Sequence, residues 1–236
     1  MTWSIIALDE PTGQFGIAVA TRFFAVGARV PYIAAGAGGI ATQALVNPYY
    51  GIDGLALLRQ GRPPQQIVEI LIAADAGHQS RQLHILDAGG RIACHTGREC
   101  VGWCGHRAGD GFSLAGNMLA GPAVLDDTAA AYLAGKGLPF AQRLIAAMRS
   151  GEAAGGDKRG RQSAALLIYG EDEWSALDLR VDDHADPLGE LDRLEQVSRA
   201  HWVPFRRFLP SRKNPAGITD RATIEAGIEA VTAGRK

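Results

Sequence analysis

The feature that most limits how this chain can fold is a pair of almost unbroken apolar runs at its start, residues 2–8 and 15–20, joined by Asp9-Glu10-Pro11-Thr12-Gly13. The joining segment is made of turn-forming residues, so the pair reads as a β-hairpin. A strand with one solvated face alternates apolar and polar residues. These two do not alternate, and that pattern demands cover on both faces. The hairpin must therefore lie between two other layers.

The order of the remaining segments narrows the choice. Residues 29–35 read as a third strand, leading through Gly36-Ala37-Gly38-Gly39 to a short one at 40–45. Two helices follow: 51–60, with Ile52, Leu55 and Leu58 on one side, and 64–74, with Pro64 at its start and Ile67, Ile70 and Leu71 in a stripe. Strands return at 82–87, 91–95 and 112–114, with Gly102-Trp103-Cys104-Gly105 read as a turn. A second helix pair occupies 122–134 and 139–149, the latter carrying Phe140, Leu144, Ile145 and Met148 at helical spacing. Residues 163–169 and 175–181 form a last hairpin. Asp186-Pro187 then caps a helix with Leu188, Leu191, Leu194 and Val197 on one face. Blocks of strands separated by pairs of helices do not build a doubly wound parallel sheet. They predict an α+β fold: two mainly antiparallel sheets packed face to face, each covered by helices, a four-layer αββα sandwich.

From residue 198 the character changes to an aromatic-basic connector, His201-Trp202-Val203-Pro204-Phe205-Arg206-Arg207-Phe208, and a short helix at 219–232. Residues 1–197 are expected to form the main domain. Residues 198–236 are too few to fold alone and are expected to pack on that body or on a neighbouring subunit.

At 236 residues the chain can bury a substantial core. Its net charge of −1 argues against a general nucleic-acid binder. No apolar run approaches the ~18 residues of a membrane-spanning helix. Asp9, Glu10 and Pro11 arrive too early for a secretory signal, and three cysteines fit a reducing cytoplasm better than a disulfide scaffold. The expectation is a cytoplasmic homo-oligomer acting on a small molecule, without nucleic acid, membrane, metal or cofactor.

Chemistry concentrates at Thr2. Met1 before so small a residue is ordinarily removed. The remaining threonine would carry a hydroxyl and a free α-amine together, a nucleophile and its base in one residue. A free α-amine has a pKa of about 7.7–8.0, so an appreciable fraction is neutral near pH 7. An ordinary N-terminal strand is the competing reading.

Several segments carry a family resemblance: Met1-Thr2-Trp3-Ser4-Ile5-Ile6, Ala41-Thr42-Gln43-Ala44, Asn47-Pro48-Tyr49-Tyr50-Gly51, Gly116-Asn117-Met118-Leu119, Gly155-Gly156-Asp157-Lys158-Arg159-Gly160-Arg161-Gln162-Ser163 and Leu179-Arg180-Val181-Asp182-Asp183-His184. From residue 1 to about 196 the chain resembles the group catalogued as domain of unknown function 1028. That group is placed with the N-terminal-nucleophile (Ntn) hydrolases. The resemblance implies the αββα fold and amide-bond chemistry at a chain-terminal residue; it supplies no substrate.

Within that frame Thr2, Asn117, Asp157 and Ser163 are the candidate catalytic residues. Thr2 would attack, Asn117 would donate its amide to the oxyanion, and Asp157 and Ser163 would orient the amine. Arg22, Gly39, Thr42, Gln43 and Gln162 are the candidate substrate-binding residues. Arg22 would hold a carboxylate, and backbone N–H groups near Gly39 would reach the oxyanion. The expected substrate is small and anionic, with an amide or related C–N bond. Two rivals stay open. One is a metal-dependent hydrolase using Cys94, His95, Cys100, Cys104 and His106, or Asp182-Asp183-His184-Ala185-Asp186. The other is a non-catalytic binding or assembly protein on the same scaffold.

Overall fold

A computed structural model of the chain describes residues 2–233. It is an α+β protein with two antiparallel sheets and, among the described residues, seven α-helices. In chain order these are β1 (Thr2–Asp9), β2 (Gln14–Thr21), β3 (Pro31–Ala34), β4 (Gly38–Ala44), α1 (Pro48–Arg59), α2 (Pro64–Ala73), β5 (Arg81–Asp87), β6 (Ile92–Thr96), β7 (Trp103–Gly109) and β8 (Phe112–Leu119). They continue with α3 (Ala123–Ala134), α4 (Phe140–Ala153), β9 (Ser163–Tyr169), β10 (Ser175–Val181), α5 (Pro187–Ala200), α6 (Trp202–Phe205) and α7 (Arg221–Ala233). One sheet has the order β10-β9-β2-β1-β8-β7 and the other β3-β4-β5-β6.

The opening hairpin sits at the middle of the larger sheet, in register from Thr2↔Thr21 to Asp9↔Gln14. Both of its faces are covered, as its composition requires. Trp3, Ile5, Ala7, Ala18 and Ala20 share a core with Val124, Leu125, Leu144, Ile145, Met148, Leu188 and Leu191 from α3, α4 and α5. On the opposite face Ile6, Phe15, Ile17 and Val19 pack against Ile33, Ala41 and Leu86 of the smaller sheet. That sheet turns Ile40, Leu83 and Ile85 toward Leu55, Leu58, Ile67, Val68 and Leu71 of α1 and α2. Each fully buried aliphatic side chain contributes roughly 1.5–3 kcal/mol, so these clusters are the principal reason the sheets stay together.

Some segments depart from expectation for identifiable reasons. Helix α1 begins at Pro48 because the Asn47 side chain caps it, accepting from Tyr49 N–H at 3.1 Å. The supposed turn at Gly102-Trp103-Cys104-Gly105 leads instead into β7, because β8 continues to Leu119 and offers an edge to pair with. The apolar stripes are narrower than periodicity suggests: Ile52, Ile70 and Val197 lie exposed. Beyond α5, Trp202 Nε1 donates to Ala176 O at 2.8 Å and Trp174 Nε1 to Pro210 O at 3.1 Å. The indoles of Trp174 and Trp202 meet edge to face. No helix among the described residues is long and apolar enough to cross a membrane.

Candidate active site

Strand register gathers polar side chains that sequence distance separates. Ser163, Thr21, Thr2 and Asn117 form one continuous cross-strand row over β9, β2, β1 and β8. On the smaller sheet Gln43, Gln82 and Thr96 form a row over β4, β5 and β6. Hydrogen bonds join the two sheets at this end. Asn117 Nδ2 donates to Gln82 Oε1 at 3.0 Å, and Gln43 Nε2 donates to the same oxygen at 2.8 Å. Gln82 Nε2 in turn serves Gly116 O at 2.9 Å, Gly105 O at 3.1 Å and Thr96 Oγ1 at 3.0 Å. Gln82 is wholly buried, and these partners are what makes its burial tolerable.

One step deeper lies a second polar chain. Ser4 Oγ donates to Gln43 Oε1 at 2.7 Å and stands 2.9 Å from His84 Nε2. A hydroxyl has one proton, so Ser4 accepts from His84, and the imidazole proton sits on Nε2. His84 Nδ1 then accepts from Ser113 Oγ at 2.9 Å. Burial drives the imidazole pKa down to about 3, with His106 adding to the effect. His84 is therefore a neutral, fixed-tautomer bridge between the sheets.

The outer polar row opens on a cavity of about 870 Å³, lined among others by Thr2, Thr21, Gln43 and Asn117. Thr2 is buried and its Oγ1 lies 3.1 Å from Thr21 Oγ1. Strain concentrates at the same place. Ala25, Ala44 and Met118 have φ of 55°, 70° and 54°. Ala44 and Met118 line the cavity, and Ala25 directly precedes Val26, which also does. Non-glycine residues avoid this left-handed region at a cost of roughly 1–2 kcal/mol each, and such strain clusters at functional sites.

Arg81 braces the lip. Its Nη1 donates to Leu45 O at 2.5 Å and its Nε pairs with Asp75 Oδ2 at 3.1 Å. Burial alone would push the Asp75 carboxyl upward. Hydrogen bonds from Asn47, Gly77 N–H and Arg81 outweigh it and hold the group below the usual carboxylate range.

The remaining expected site residues are placed differently. Asp157 gives its carboxylate to the N–H groups of Arg22 and Arg159, each at 2.8 Å, and lines a separate cavity of about 200 Å³ beside Trp3. Ser163 Oγ donates to Phe23 O at 2.5 Å and accepts from Val26 N–H at 3.2 Å, pinning the segment after β2. Both side chains thus hold backbone that borders the site. Arg22 is exposed and donates to Arg159 O at 2.6 Å; Arg29, Arg81 and Arg159 line the cavity instead. Gly39 faces Ile6 and Ile17 in the apolar interior, because β4 carries it away from the Gln43 end. Thr42 turns from Gln43's face and donates to Asn47 O at 3.2 Å. Gln162 Nε2 donates to Asp183 Oδ1 at 3.1 Å. Met1 lies outside the described residues.

Ser4, Gln82, His84 and Ser113 join the site without being among the residues expected from sequence. The available signal is a pair of polar residues at alternate positions, Gln82 and His84, inside an apolar strand. Among the described residues no group of three or more His, Cys, Asp or Glu side chains is gathered as a metal site. The Cys/His segment is dispersed: His95 Nε2 donates to His78 O at 2.8 Å, and Cys94 lies 3.6 Å from Ser113 Oγ. Burial raises the Cys94, Cys100 and Cys104 thiols, which keeps them protonated.

A family model described as "Family of unknown function (DUF1028)" matches residues 2–191. The crystal structure of protein SPO2555 from Silicibacter pomeroyi, of the same family, is 33% identical, with a TM-score of 0.87 over 93% of this chain and 96% of that one. Anbu (ancestral beta-subunit) from Yersinia bercovieri is 10% identical, with a TM-score of 0.42 over 84% of this chain and 94% of that one. No curated protein matches.

Proposed function

Since the chain belongs to the family of unknown function DUF1028, we propose its activity from the site: an amidohydrolase of the Ntn type, with Thr2 as nucleophile once Met1 is removed. The fold proposed with it is the four-layer αββα sandwich, supported by a core between the sheets and a helix-backed core outside each. One observation carries the reading. Thr2 heads a central strand, is buried, and still borders the large cavity beside Thr21 and Asn117.

In the proposed reaction the α-amine of Thr2 takes the Oγ1 proton as Oγ1 bonds to the amide carbonyl carbon. Asn117, oriented through Gln82, offers its second Nδ2 proton to the oxyanion. The C–N bond then breaks, the amine leaves with the proton, and an ester to Thr2 remains. Water, deprotonated by the same α-amine, releases the acid and restores the hydroxyl. Asp157 and Ser163 serve as positioning residues, through the backbone they hold. Intact mass and activity test the proposal together. Active material should lack Met1, and a panel of amides, ureas and cyclic imides should be turned over by wild type and not by Thr2→Ala. Full activity in protein that retains Met1 would sink it.

Among the described residues no gathered ligand set favours the metal-dependent alternative. A non-catalytic binder on this scaffold would keep the cavity and show saturable binding without turnover.

A further inference from the structure

The cavity is too large and too apolar for the small polar substrate that its hydroxyls and amides alone would suggest. Its volume of about 870 Å³ lies near the top of the range for small-molecule sites. Beyond the polar row its wall passes to Val26, Val30, Val46 and Pro48. Three further wall residues, Phe23, Leu45 and Val101, remain 58–65% exposed. They come from three separate segments, after β2, after β4 and between β6 and β7, and all three line this cavity. The charged residues on the wall are Arg29, Arg81 and Arg159 against Glu99. Arg81 is engaged by Asp75, and Arg159 reaches back to Asp157.

We infer that the ligand of this site is an amphiphilic anion: an amide that bears a carboxylate and an extended alkyl or aryl arm. The inference rests on the hydrolase reading for the identity of the cleaved bond, but not for the shape of the ligand. Arg29 takes the carboxylate, with Arg159 lining the same cavity. The apolar walls take the arm, whose burial supplies most of the affinity. Thr2 and Asn117 face the amide.

The test separates binding from turnover. Thr2→Ala protein is titrated calorimetrically with N-acetyl-, N-hexanoyl- and N-decanoylglycine, with N-decanoylglycinamide, and with N-alkyl succinamates, which place the carboxylate on the other side of the amide. In at least one series affinity should rise about fourfold per methylene until the cavity is filled. Replacing the carboxylate by a carboxamide should weaken binding tenfold or more, and Arg29→Gln should abolish that preference. Phe23→Ser with Val101→Ser, both at exposed positions, should flatten the dependence on chain length without unfolding the protein.

Affinity independent of chain length in both series would overturn the inference. So would a Phe23→Ser/Val101→Ser variant with a lower native mass and undiminished chain-length dependence, since the rim would then be a contact between copies of the chain. In the wild type, equal turnover of acetyl and decanoyl substrates would leave the hydrolase reading standing and overturn this one. Chain-length-dependent binding with no amine released by Met1-free protein would do the reverse.

Discussion

The two ends of the space between the sheets are built from the same strands and do opposite things. At the Leu8 end, Ile6, Phe15, Ile17 and Leu86 fill it with hydrocarbon. At the Thr2 end, four strands of one sheet and three of the other each contribute a polar residue in matching register. Strand geometry makes the contrast possible: every second residue faces the gap, so one substitution every two positions converts glue into a site. The apolar end holds the sheets together and the polar end, tied across by hydrogen bonds, borders an opening.

That contrast can be broken at either end. The largest effect belongs to Thr2→Ala, which should lower kcat/KM for the cognate amide by at least ~10³-fold while leaving the melting temperature nearly unchanged. Ile17→Ala should do the reverse. With the side chain fully buried, it should cost about 2–5 kcal/mol and lower Tm by roughly 5–15 °C, with activity per folded molecule retained. If Ile17→Ala instead silences activity at full folding, the two ends are not separable.

His84 sharpens the boundary between them. Unfolded, its imidazole binds a proton below about pH 6.5; folded, burial delays this to about pH 3. In that window the unfolded chain holds more protons, so stability falls as the pH is lowered, by an amount on the order of a few kcal/mol. Urea midpoints at pH 7 and pH 4.5 measure it, and His84→Gln should reduce the difference.

Gln82→Leu comes next, because it leaves donors of Asn117 and Gln43 without their acceptor. A loss of about 1–3 kcal/mol is expected, with kcat falling more than KM rises, since Asn117 loses its orientation. Smallest is Asn47→Ala, which removes the cap of α1 for about 1 kcal/mol and one partner of Asp75. It should raise KM modestly by loosening the lip.

The sequence was most readable where physics is local. The hairpin's doubly covered faces, the proline-started helices and Phe140, Leu144, Ile145 and Met148 on the buried side of α4 all follow from composition and spacing. Thr2 and Asn117 are legible as candidate residues, but their adjacency comes from pairing β1 with β8, which no local pattern encodes. Gly39 shows the reverse failure. A glycine pair suggested backbone amides at the site, yet the register of β4 puts it among Ile6 and Ile17. Asp157 and Ser163 look catalytic as isolated polar residues, and only their partners assign them to backbone support. His84 and Gln82 are not legible as site residues, because a lone polar residue in a strand carries no mark of what lies across the gap.

The left-handed backbones of Ala25, Ala44 and Met118 bear on how such a protein can be improved. Glycine at any of these points would relax the chain locally, and a screen for heat resistance would be expected to select it. The same change would free the mouth to wander, so that robustness gained there would be traded against selectivity. Variants sought for durability are better drawn from the hydrocarbon end of the gap, away from the cavity.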